Sequence, residues 1–220
     1  MRLIIATKNN GKLREIKEIL KGIDIAIVSL NQLDKKFRII ENGKSFLENA
    51  LKKTMTVSKF FKDDYVVGDD SGLEVDCLQG APGIFSKRYS GRNATYLKNN
   101  LKILRELQGI EKSKRRAHFC CFLTLVKDSR LIRVFEGNLK GIISEEIKGQ
   151  EGFGYDPIFY LPKYKKTVAQ LSLKEKNKIS HRAKAFGKLK KYLISREVFY
   201  PSKNNEAKYC NIAKKQHMAV

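Results

Sequence analysis

An α/β fold follows from three observations on the 220-residue sequence. A short apolar run at Leu3-Ile4-Ile5-Ala6 leads through a turn cluster into apolar residues at helical spacing, the order of a β-loop-α unit. A second helical pattern precedes another apolar run, Tyr65-Val-Val-Gly68, so strand and helix alternate again. Later, two strand-like segments separated by Asp128-Ser-Arg predict a hairpin.

Taken in order, residues 2–6 read as a buried strand and Thr7-Lys-Asn-Asn-Gly11 as turn and capping residues. Leu13, Ile16, Ile19 and Leu20 share one helical face, with Gly22 as the stop, and a second strand follows over 23–28. The spacing of Phe46, Leu47, Ala50, Leu51, Thr54 and Val57 predicts a helix over 45–61, with Ser45 and Glu48 in a capping-box pattern. Asp69-Asp70-Ser71-Gly72 is expected to end the strand that starts at Tyr65, and the alternating residues 73–77 read as a further strand. Gly80-Ala-Pro-Gly83 is a turn, and Leu97, Leu101, Leu104 and Leu107 predict a helix over 93–109. The hairpin strands are residues 117–127 and 131–140, and Gly152-Phe-Gly-Tyr-Asp-Pro157 is a loop. Ser180 caps a last helix over 181–194. Residues 1–194 are therefore expected to form one domain, and 195–220 a basic, poorly ordered tail.

The 45 Lys and Arg against 23 Asp and Glu leave a net charge of +22, with 42% hydrophobic residues to supply a core. That surplus attracts polyanions of any kind: nucleic acid, membrane surface or a phosphorylated small molecule. Trp is absent, the basic residues are spread along the chain, and no nucleic-acid-binding motif is visible, so specific nucleic-acid binding is not expected. No run approaches the ~18 apolar residues of a membrane span, and the opening one is shorter than the ~7–15 of a signal-peptide core. The four cysteines contain no C-x-x-C pair. A soluble, reduced, cytoplasmic protein is the expectation.

Two clusters suggest chemistry. Thr7, Lys8, Asn9, Asn10, Gly11 and Lys12 lie between a strand and a helix, where free N–H groups and the helix dipole attract an anion; the same residues equally suit a plain turn and cap. Asp69 and Asp70 are adjacent carboxylates in a chain short of acids; leaving a strand at a turn, they can reach one hard cation such as Mg²⁺, with a solvated turn as the alternative. Gly152 and Gly154 allow close backbone approach, and Phe153 and Tyr155 offer faces to a planar ring, although a hairpin turn with half-buried aromatics has the same composition.

Together these segments resemble the inosine triphosphate pyrophosphatase family, the Ham1-like non-standard purine nucleoside triphosphate pyrophosphatases. The resemblance runs from Leu3 to about Leu193 and rests on six segments in order: 6–15, 45–50, 69–76, 80–91, 152–159 and 178–182. It implies two α/β lobes around a long, bent mixed sheet with a deep central cleft, assembled as a homodimer. It implies a reaction in which inosine or xanthosine triphosphate, or a deoxy form, and water give the monophosphate and pyrophosphate, with Mg²⁺ as cofactor. By similarity, Glu41 and Asp70 hold the metal, with Asp69 in support, and Asp70 matches the general base. Thr7, Asn9, Lys12, Lys53 and Lys176 match positions that hold the triphosphate, with Lys8, Asn10, Gly11 and Ser71 beside them. Phe153 stacks on the purine, while the loop of Gly154, Tyr155 and Asp156, with His181 and Arg182, reads its edge. Donors aimed at a 6-oxo group would be left unpaired by adenine, which supports discrimination of about 10⁴; guanine shares that oxygen, so its rejection must involve the 2-amino side. Ala183 stands where the family commonly has Gly after Ser-His-Arg, and Asn42 where it has Thr.

Two other readings compete. A nucleic-acid-binding protein on a borrowed fold predicts steeply salt-dependent binding. A Maf-like pyrophosphatase shares the broad architecture but lacks support from the Phe-Gly-Tyr-Asp and Ser-His-Arg motifs.

Overall fold

The computed structural model describes residues 2–195. β1 (Arg2–Ile5) leads into α1 (Asn10–Ile19), and β2 (Ala26–Ser29) returns parallel to β1. Leu3, Ile4 and Ile5 are all fully buried, because helices cover both faces of this strand, hence the unbroken apolar run. Asn9 caps α1, its side-chain oxygen accepting from the Lys12 N–H at 2.9 Å.

α2 (Phe46–Ser58) starts at Ser45, whose hydroxyl accepts from the Glu48 N–H at 3.2 Å. The Glu48 carboxylate accepts from the Lys44 N–H instead of that of Ser45, so the expected capping box is displaced by one residue. α2 delivers the chain to β3 (Tyr65–Val75), parallel to β1 on the side opposite β2. Ile16 and Leu20 of α1 pack with Leu3 and Ile5, whereas Val57 of α2 packs with Ile4 and Ala6, so the two helices lie on opposite faces. The carboxyl end of β1 is thus a topological switch point, where open α/β sheets leave a crevice.

β3 corrects the sequence reading. Asp69-Asp70-Ser71-Gly72 is not a turn: β3 runs unbroken for 11 residues and pairs antiparallel with β4 (Arg116–Lys127), from Tyr65 opposite Lys127 to Val75 opposite Ala117. The apolar run of β4 offers a complete ladder, and the two charges meet cations on each side. β5 (Arg130–Ile143) completes the predicted hairpin, with Asp128 and Ser129 both at positive φ, 48° and 57°, as a two-residue primed turn requires. Two short strands missed by periodicity, β6 (Phe159–Leu161) and β7 (Lys166–Thr167), extend the sheet to the order β2-β1-β3-β4-β5-β6-β7.

α3 (Tyr96–Glu106), α4 (Leu173–Ile179) and α5 (His181–Ile194) complete the fold. Ser180 separates the last two and caps α5 by accepting from the Ala183 N–H at 3.0 Å. Besides the core between α2 and β1, two further cores form along the central strands. One gathers α1 and α5 on Val67, Leu123 and Phe135; the other gathers α3 on Leu73, Phe119 and Phe159. These are the two lobes, and Asp69 and Ser71 sit on β3 between them. Apart from Ser195, the predicted tail lies outside the described residues.

Candidate active site

A cavity of about 410 Å³ opens at the carboxyl end of β1. β1 ends at Ile5 while β3 continues to Val75, so the β3 edge beyond Val67 has no strand beside it. Lys53 of α2 fills part of that gap, its ammonium donating to the Asp69 carbonyl at 2.9 Å. α2 comes this close because residue 68 is glycine; a Cβ there would sit 2.7 Å from the Ala50 carbonyl oxygen.

Successive residues of a strand face opposite sides, and the two aspartates obey that rule. Asp70 turns to the α2 face, where Lys53 Nζ lies 2.8 Å from its Oδ1 and 3.1 Å from Glu41 Oε1. Burial pushes the Asp70 carboxyl above its usual range despite Lys53. Burial alone would lower the Lys53 ammonium, but Asp70 and Glu41 outweigh it and hold it above its ordinary value. Asp69 turns the other way, to Lys12, to Arg182 Nε at 3.2 Å and to the Cys121 thiol at 3.2 Å. Its burial is outweighed by Lys12 and Arg182, which hold it well below the carboxylate range. Asp69 does not line the cavity, so the expected chelating pair of neighbours does not form; the carboxylates that converge are Glu41 and Asp70.

Behind Asp69 runs a buried ionic network. Arg182 Nη1 meets Glu15 at 2.5 Å, and Arg182 Nη2 donates to the Ser71 hydroxyl at 2.9 Å. Lys176 is held between Glu15 at 2.6 Å and Asp156 at 2.5 Å. Burial opposes the charge of Glu15, yet Arg182 and Lys176 hold it below its ordinary value. Lys176 therefore faces two carboxylates here, not an open phosphate position. Both cations also sit against the Phe153 ring, 4.9 Å for Lys176 and 5.5 Å for Arg182.

The 153–156 loop is built to hold that ring. Asp156 accepts from the Phe153 N–H at 2.8 Å, Asn100 donates to the Gly154 carbonyl at 3.1 Å, and the Tyr155 hydroxyl donates to the Ser86 carbonyl at 2.7 Å. His181 begins α5 inside the cavity, stacked on Phe119 with centroids 4.7 Å apart. Burial, with Arg182 and Lys176 nearby, holds the imidazole well below its ordinary value, so it is neutral. Its Nδ1 is buried without a hydrogen-bond partner.

Thr7, Lys8, Asn9 and Lys12 border the cavity at the start of α1, whose first turn carries no acid. Asn10 and Gly11 do not border it. Asn10 is exposed and accepts from Asn31 at 3.4 Å, and Gly11 lies under Phe153, where a Cβ would come within 2.7 Å of the ring. The other expected substrate residues, Ser71, Gly154, Tyr155 and Arg182 among them, all border the cavity.

Sequence reasoning passed over Glu15, Tyr96, Asn99 and Phe119. Glu15 had a signal: it stands three residues after Lys12, one turn along the same face of α1. Asn99 had none, since its amide ties the 83–88 segment by donating to the Ser86 carbonyl at 3.2 Å, a contact 13 residues away in sequence.

The profile of the Ham1 family matches residues 3–192. A dITP/XTP pyrophosphatase of Clostridium perfringens is 46% identical over 194 residues, covering 86% of this chain and 95% of that one. A dITP/XTP pyrophosphatase of Caldanaerobacter subterraneus is 43% identical, covering 89% and 98%. The solved structure of the Staphylococcus aureus Ham1 protein superposes with a TM-score of 0.78 at 39% identity, covering 88% of this chain and 98% of that chain.

Proposed function

The chain belongs to the Ham1 family, and from that premise we propose that it hydrolyses non-standard purine nucleoside triphosphates, the inosine and xanthosine forms and their deoxy counterparts, to monophosphate and pyrophosphate. The observation that carries this reading is the division of the cavity. One end holds Glu41 and Asp70 around Lys53, beside the acid-free start of α1; the other holds Phe153 and an unpartnered His181 nitrogen. The first end suits phosphates and the second a purine.

In the proposed reaction a water oxygen bonds the α-phosphorus, the bond from that phosphorus to the bridging oxygen of the β-phosphate breaks, and pyrophosphate leaves. Asp70, on the cavity wall 2.8 Å from the Lys53 ammonium, is the carboxylate placed to accept the water proton. Lys53 orients that carboxylate and supplies positive charge next to it. The start of α1, with Thr7, Lys8 and Asn9 on the cavity and no acid in its first turn, attracts the phosphates. Phe153 covers the purine, and His181 Nδ1, for which the protein offers no partner, is left to the base edge.

Glu41 and Asp70 present hard oxygen donors about one shared ammonium, a donor set that fits Mg²⁺. When bound there, Mg²⁺ offsets charge on the phosphates. Asp69, committed to Lys12 and Arg182, supports this site through the strand it shares with Asp70. Cytoplasmic location is supported by the nature of the proposed substrate, and no described helix is long and apolar enough to cross a membrane. A homodimer is supported by the family resemblance and is checked by sedimentation equilibrium. The activity is tested by pyrophosphate release from inosine triphosphate with Mg²⁺, and near-abolition in Asp70→Asn.

A further inference from the structure

On the face of the sheet that carries Asp70, farther along β3, lies a cluster that the proposed reaction does not use. Glu74 of β3 stands directly opposite His118 of β4, and Cys120 follows His118 two residues on, on the same side of that strand. His118 Nε2 lies 2.8 Å from Glu74 Oε2, and the Cys120 thiol donates to the same oxygen at 3.2 Å. The three ligand atoms all lie within 4.8 Å of one another, and each residue is half-buried. Asp76 Oδ1 lies 3.7 Å from His118 Nδ1, too far for a hydrogen bond but close enough to place a further negative charge beside the imidazole.

The sheet leaves this place open. α2 covers the face as far as Phe46, which stacks on Phe122 at 6.4 Å; Cys120 and His118 lie beyond that pair. Glu74, Asp76 and Glu136 bring negative charge to the neighbourhood in a strongly basic chain, with Arg116 3.7 Å from Asp76. Asp70 is about 13 Å away along β3, four residues at ~3.3 Å each, so the cluster is separate from the carboxylates around Lys53.

We infer that Glu74, His118 and Cys120 form a binding site for a borderline divalent transition metal of the Zn²⁺ or Co²⁺ type. One oxygen, one imidazole nitrogen and one thiolate sulfur match that class and not Mg²⁺, which takes oxygen ligands. With metal–ligand bonds of ~2.0–2.3 Å, tetrahedral neighbours stand about 3.4 Å apart. The present 2.8 Å and 3.2 Å separations would open by about 0.6 Å and about 0.2 Å, and the third pair, the His118 nitrogen and the Cys120 sulfur, lies within 4.8 Å. Binding forms the metal–sulfur, metal–nitrogen and metal–oxygen bonds and releases the thiol proton to solvent, leaving a fourth position to water. Because the ligands come from both β3 and β4, an ion there clamps these strands together in the lobe that carries α3.

The test is titration of the metal-free full-length chain with Co²⁺, without nucleotide, read by thiolate-to-cobalt charge-transfer absorption. One equivalent per chain is expected, unaffected by excess Mg²⁺ and displaced by Zn²⁺. Cys120→Ser should remove the band, His118→Ala should weaken binding by about tenfold or more, and a Cys77→Ser/Cys210→Ser double variant should retain it. Cys120→Ser should keep its metal-free melting temperature and its Mg²⁺-dependent turnover of inosine triphosphate, which shows that it folds. Absence of the band in the wild-type chain, or its survival in Cys120→Ser, overturns the inference.

Discussion

Two neighbouring aspartates do opposite work because a strand sends them to opposite faces. Asp70 meets Lys53 and Glu41 at the cavity, whereas Asp69 neutralises Lys12 and Arg182 behind it. Asp70→Asn should therefore lower kcat by about 10²–10⁴-fold, as loss of a general base does, with a much smaller change in KM. Asp69→Asn leaves buried Arg182 and half-buried Lys12 short of a counter-charge and should cost about 3–5 kcal/mol of stability, read in a denaturant titration. Equal stability loss in the two variants would contradict this division. Phe153→Ala removes a stacking face worth about 1–3 kcal/mol, so the KM for inosine triphosphate should rise about fivefold to about a hundredfold.

At the scale of the element, close approach explains positions that charge does not. Gly137 of β5 lies under the start of α5, where a Cβ would overlap the His181 carbonyl oxygen and come within 2.7 Å of the Ala185 nitrogen. Gly137→Ala should push the helix off the sheet, lower the melting temperature and raise KM together, since α5 carries His181 and Arg182. The opening β-α-β unit, α2, α3, the hairpin and α5 were legible because each has a clear period and a cap or turn at its boundary. The join across residues 69–72 was not, because Asp, Ser and Gly are turn residues by local propensity; pairing with β4 and cations on both faces override that preference. β6, β7 and α4, at 3, 2 and 7 residues, are too short for periodicity to report. In the site, the signature segments were readable, but the partners of Lys176 were not, since Glu15 and Asp156 reach it from elements far apart in sequence.

For the molecule as a whole, a buried ionic network joins the two lobes, with α1, β3, α4, α5 and the 153–156 loop all contributing charges. Glu15 and Asp69 are both held below their ordinary values, so the stability they contribute is present above about pH 4 and lost as the pH falls through their folded-state values. The melting temperature should hold down to about pH 5 and fall as the pH drops below about 4, and Asp69→Asn should flatten that fall. The +22 surplus does not come from the site: Lys12, Lys53, Lys176 and Arg182 are matched there by Glu15, Glu41, Asp69, Asp70 and Asp156, and residues 196–220 hold only 5 basic and 2 acidic residues. The surplus is spread over the body of the chain. The central claim is tested most directly by pyrophosphate release, with Mg²⁺, from inosine, xanthosine, adenosine and guanosine triphosphates offered at equal concentration. The account predicts rapid release of pyrophosphate from the inosine and xanthosine forms, with adenosine triphosphate slower by several orders of magnitude; equal turnover of adenosine triphosphate, or release of orthophosphate instead, would contradict it.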